Sequence, residues 1–113
     1  MATKTSIPAG TTTAFPKAAV EAALMAELLD YVKSEATMKG YVVPATDAAI
    51  IKAAIQIDSL VTVDILCAVE AIIGFELSQN TVRTGGYKSI DAAIEHLLPR
   101  IQKQWAKKYG VKT

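Results

Sequence analysis

One cysteine, one histidine, one tryptophan and two phenylalanines are spread over 113 residues. A lone Cys67 excludes an internal disulfide and a thiolate metal cluster. It lies inside an apolar helical run, so a buried, inert thiol is expected there. His96 has no second ligand or base near it in sequence, which leaves no catalytic or metal-binding set to build on. No unbroken apolar run approaches the roughly 18–20 residues that span a membrane, and the Thr-rich N-terminus lacks the apolar core of a signal peptide. A cytoplasmic protein without stable membrane insertion is expected. Charge of one sign is lacking too: the net charge is +1, which argues against nucleic acid as a partner.

What is present is aliphatic. Apolar residues make up 51% and aromatics 6%, a composition suited to closely packed small helices in one domain. The charges are sorted along the chain. From Ala53 to Val82 all are acidic (Asp58, Asp64, Glu70, Glu76), and from Arg100 onward all are basic.

Residues 1–14, with Pro8, Gly10 and three successive threonines, read as a flexible lead to a domain over 15–113. A first helix over about 16–38 follows from Pro16 in the first turn, Val20, Leu24, Leu28 and Val32 at helical spacing, and Gly40 as the stop. Residues 40–57 form a long connection. Val43-Pro44 is extended, and Thr46 or Asp47 caps a short helix over Ala48–Ala54.

The second main helix covers Ser59–Ile73 (SLVTVDILCAVEAII). Leu60, Val63, Leu66, Val69 and Ile73 define its inner face, and Gly74 closes it. Phe75-Glu76-Leu77 is extended. The loop Ser78–Ser89 carries Gly85-Gly86, read as a plain turn, with a helical turn near Asn80–Arg83. Ser89 caps a last helix through Ile90, Ile94, Leu97, Leu98, Ile101 and Trp105. Pro99 kinks or restarts that helix, leaving a basic extension. The fold class is all-α: three main helices, a possible short extra helix, and a long connection between the first two.

Asp58-Ser59-Leu60 carries the functional signal. Ser59 stands at a helix start, where amide groups lack partners and the dipole is positive, so a phosphate on its hydroxyl sits in a favourable field. Asp58 caps the helix, and Leu60 pins the turn to the core. Alone, such a tripeptide is ordinary capping chemistry.

Its continuation is more specific. Ile57-Asp58-Ser59-Leu60, then Val63-Asp64-Ile65-Leu66, Val69-Glu70 and Ile73-Gly74-Phe75-Glu76-Leu77, resembles the acyl carrier protein family. In that family a serine in a D-S-L motif begins the second helix. Lys88–Leu98 is similar to its last helix, and the resemblance spans about residues 16–100.

The resemblance implies 4'-phosphopantetheine attached to Ser59, with Asp58 and Leu60 beside it. A phosphopantetheinyl transferase would load it. The arm would hold an acyl thioester for partner ligases or synthases and acyltransferases, and the chain itself, a monomer, would not be an enzyme. The second helix is the surface that partners read, at Val61, Asp64, Ile65 and Glu70, and the space between the helices shelters the cargo. Val61 stands where acidic residues are usual, and the chain is nearly neutral where fatty-acid carriers are acidic. A specialised lipid, fatty-acid or secondary-metabolite pathway is therefore expected. An aminoacyl or peptidyl carrier, and an unmodified interaction module, are the alternatives.

Overall fold

A computed structural model describes residues 14–110; the expected flexible lead falls, apart from Ala14, outside the described residues. Helical spacing of aliphatic side chains decides the architecture. Val20, Leu24, Leu28 and Val32 recur every fourth residue on α1 (Lys17–Lys39), and all four are fully buried. Gly40 ends α1 in a left-handed conformation, and its N–H donates to the Ala36 carbonyl at 2.8 Å.

The connection folds down as expected. Thr46 Oγ1 accepts from the Ala49 N–H at 3.2 Å and starts α2 (Asp47–Lys52). Ile50 of α2 and Ile57 beyond it are buried. A Lys33–Asp47 ion pair of 2.8 Å ties α2 to α1. Both side chains are half exposed, so it contributes about 1 kcal/mol at most.

Next comes α3 (Ser59–Ile73), closed by left-handed Gly74. A single 3-10 turn, Gln79–Thr81, follows. Side chains of the last helix hold it. Arg100 donates from Nε to the Thr81 carbonyl (3.2 Å) and from Nη2 to the Asn80 carbonyl (2.6 Å). Gln104 accepts from the Ser78 N–H (2.9 Å) and donates to Thr81 Oγ1 (2.6 Å).

The last helix, α4 (Ile90–Tyr109), is capped by Ser89 Oγ, which accepts from the Ala92 N–H at 3.0 Å. It runs through Pro99 without restarting, and the basic segment is no appended extension. Two causes are visible. Pro99 and Glu95, whose carbonyl loses its partner, are both exposed residues, so the lost bond falls on the solvent side of the helix and not in the core. Beyond Pro99, Ile101, Trp105 and Ala106 are buried in the common core. Burying two large apolar side chains at ~1.5–3 kcal/mol each offsets the ~3 kcal/mol cost of an internal proline.

The protein is all-α, with α1 packed against both α3 and α4, and α2 lying on α4 and α1. Among the described residues no helix is long and apolar enough to cross a membrane.

Candidate functional site

Asp58 is extended (φ −66°, ψ 144°) and is the N-cap of α3. Its Oδ1 accepts from the Leu60 N–H at 2.7 Å. Its carbonyl accepts from the Thr62 N–H (3.1 Å) and from Thr62 Oγ1 (3.0 Å). Capping therefore falls to Asp58, and the hydroxyl of Ser59, the first helical residue and partly exposed, takes no part in it. The remaining first-turn amides and the dipole make this an anion-tolerant position.

Leu60 does not pin the turn: it is 75% exposed. The inner face of α3 is Thr62, Ile65, Leu66, Val69 and Ile73, rotated from the expected one. With apolar residues on nearly every side, periodicity along α3 does not single out a face. Packing does, and Thr62 tolerates burial because its hydroxyl bonds the Asp58 carbonyl. Ile65, expected to meet partners, is in the core. Val61 is partly buried against that core. Glu70 is half-buried, and its Oε2 accepts from the Leu77 N–H at 2.8 Å, holding the turn after α3. Asp64 alone of the four expected recognition positions is open to solvent. Beside it the outer face presents Leu60, Val63 and Ile72 and Cys67, which is exposed and not buried as expected.

The turn is pinned instead from behind. Ile57, fully buried, forms an antiparallel bridge with Tyr87: the Ile57 N–H donates to the Tyr87 carbonyl at 2.8 Å, and the Tyr87 N–H donates back at 2.9 Å. Gln56 Nε2 donates to the Gly85 carbonyl at 3.1 Å. Gly86, at φ +80°, leaves no room for a side chain, since a Cβ would overlap the Ile57 carbonyl and crowd the Ser59 amide. The plain turn expected at Gly85-Gly86 is thus the backing of the Ser59 site.

Tyr87 is held in turn. Its hydroxyl accepts from the Arg83 N–H at 2.9 Å and lies 2.7 Å from His96 Nδ1. Burial raises the Tyr87 pKa. Burial also lowers that of His96, and the Arg83 and Arg100 cations add to the effect. His96, partly buried, supports the buttress. Sequence reasoning missed Gln56, Gly86 and Tyr87 as parts of the site. Two adjacent glycines before an aromatic were the available signal, but their partner Ile57 lies about thirty residues away.

In front of Ser59 opens a groove of about 710 Å³. Its walls are the second half of α1 and the two connecting segments 41–44 and 53–56. Asp58 and Ser59 form one edge. Inside it Glu35 and Lys39 pair at 2.9 Å. Burial, then the Glu35 charge, raises the Tyr31 pKa. Among the described residues no group of three or more His, Cys, Asp or Glu side chains is placed to hold a metal ion.

Comparison with known proteins returns no match: no family model fits the chain, and no curated protein or solved structure is detectably similar to it.

Proposed function

We propose that this protein is a carrier, loaded at Ser59 with 4'-phosphopantetheine from coenzyme A and holding an acyl group as a thioester on that arm. The observation that carries the reading is Ser59 itself. It opens a fifteen-residue helix and is partly exposed, capping is done by its neighbour Asp58, and it stands in the lining of a groove. The D-S-L resemblance supplies the chemistry, and the groove and the anion-tolerant helix start fit the group.

In loading, Ser59 Oγ forms a phosphodiester at the pantetheine-bearing phosphorus. The pyrophosphate bond of coenzyme A breaks, adenosine 3',5'-bisphosphate leaves, and the serine proton passes to a base of the phosphopantetheinyl transferase. The bound group supplies a terminal thiol for thioester chemistry. The chain's residues supply placement: Asp58 fixes the helix start, the Ile57–Tyr87 bridge keeps the turn from moving, and the helix dipole favours the phosphodiester charge. The chain performs no catalysis. Acyl-loading ligases or synthases and acyltransferases are the partners, in a specialised lipid, fatty-acid or secondary-metabolite pathway of the cytoplasm.

The outer face of α3 supports the partner role. Apart from Asp64 it is mostly apolar, so recognition rests on apolar contact more than on charge steering. The same face favours a second reading, an unmodified interaction module of this fold. Transfer from coenzyme A to Ser59, lost in Ser59→Ala, separates the two.

A further inference from the structure

The groove at Ser59 and the space between the helices are two alternative places for a tethered group, and they differ in every physical respect. Between α1, α3 and α4 the side chains of Leu28, Val69 and Leu97 are fully buried. Interiors of this kind are close-packed, so a chain enters only by displacing them. The groove is already open. Ser59 and Asp58 are part of its lining, so a group tethered to Ser59 reaches it without crossing another element.

We infer that this groove seats the cargo, and that the cargo is a small, uncharged acyl group lying along α1 and segment 41–44, not one threaded between the helices. The inference rests on the carrier reading above.

Three features define the cargo class. First, size: about 710 Å³ falls within the ~300–1,000 Å³ of sites that cover small ligands. Second, the lining is mixed: alongside its polar groups it carries apolar surface, with Tyr41 42% exposed and Val42 94%, and Val43 and Ile55 beside them. Covering such surface gains about 25 cal/mol per Å². Third, charge: Glu35 and Lys39 neutralise each other at 2.9 Å, which leaves the Asp58 carboxylate at the edge as the unbalanced charge. A cargo ending in a carboxylate is repelled there. A neutral one is not, and the phenols of Tyr31 and Tyr41 offer hydrogen bonds to amide or carbonyl oxygens along the arm.

A chemical tether tests this independently of any transferase. Ser59→Cys is combined with Cys67→Ser, because Cys67 is exposed and would react as well. The product is alkylated with an iodoacetyl pantetheine amide ending in a butyryl group, and backbone amide shifts are recorded. The expected shifts fall at Tyr41, Val43 and Ile55, shrink in Tyr41→Ala, and shrink when the butyryl end is replaced by succinyl. Shifts at Leu66, Val69 and Leu97 would place the cargo between the helices and overturn the inference. Shifts confined to residues 57–62 would leave it in solvent and overturn it equally. Coenzyme A loading of the native chain is measured in parallel. Loading without groove shifts defeats the groove alone, whereas groove shifts without loading defeat the carrier reading and, with it, the identification of the groove's occupant as cargo.

Discussion

Gly86 sits against the carbonyl of Ile57 so closely that no side chain fits between them. This contact fixes the residue before Asp58, and through it the start of α3. Gly85, at φ +91°, has nothing within reach of an added Cβ, whereas Gly86, at φ +80°, has backbone there. Gly85→Ala should therefore cost only the left-handed penalty, about 1–2 kcal/mol. Gly86→Ala should cost clearly more and should shift the Ile57 and Ser59 amides. Urea unfolding of the two variants makes the comparison. Equal costs would mean that the backing of the site is slack.

Asp58 caps α3 and Ser59 does not, so their alanine variants should separate. Asp58→Ala removes the 2.7 Å bond to the Leu60 amide and should cost ~0.5–2 kcal/mol, the range of lost N-caps. Ser59→Ala removes no cap and should leave stability within ~0.5 kcal/mol, as other exposed substitutions do. Thermal unfolding reads both. A large loss in Ser59→Ala would make that serine structural.

The rotation of α3 gives a sharp contrast. Leu66 is buried and Leu60 is 75% exposed. Leu66→Ala should cost ~2–5 kcal/mol, and Leu60→Ala within ~0.5 kcal/mol. Denaturant midpoints at unchanged slope would show it, and similar costs would restore Leu60 as an anchor of the turn.

His96 makes stability depend on pH. Its folded pKa lies below 6.5, through burial first and then the Arg83 and Arg100 cations. The unfolded chain therefore binds more protons as pH falls through 6.5. The contribution of neutral His96 is full above that value and is lost from there down to the folded pKa. The Tyr87 phenol, Arg83 and Arg100 are the groups that act on the ring. His96→Gln should flatten the segment of the stability–pH curve just below 6.5, and an unchanged curve would remove His96 from the buttress.

Much of this fold is written in periodicity. On α4 apolar residues keep to one stripe, so Leu97 and Ile101 declare their burial; on α1 it is the large aliphatics Val20, Leu24, Leu28 and Val32, recurring every fourth residue, that do so, and Thr46, Asp58 and Ser89 declare the helix starts. Along α3 the stripe has no polar border, and the face was misread at Leu60, Ile65 and Cys67. Pro99 misled because local propensity cannot see Trp105 anchoring the helix beyond it. At the site, Asp58 as the cap and Ser59 as the first helical residue were legible because a helix start is local. The Ile57–Tyr87 bridge and the groove were not, since both join segments distant in sequence.

The most direct measurement of the carrier reading is the intact mass of the protein after incubation with coenzyme A, magnesium and a broad-specificity phosphopantetheinyl transferase. Reductant is included so that coenzyme A cannot form a mixed disulfide with exposed Cys67. The account predicts one phosphopantetheine increment on the native chain and none on Ser59→Ala. An increment that survives in Ser59→Ala, or none on a native chain shown to be folded, would contradict it.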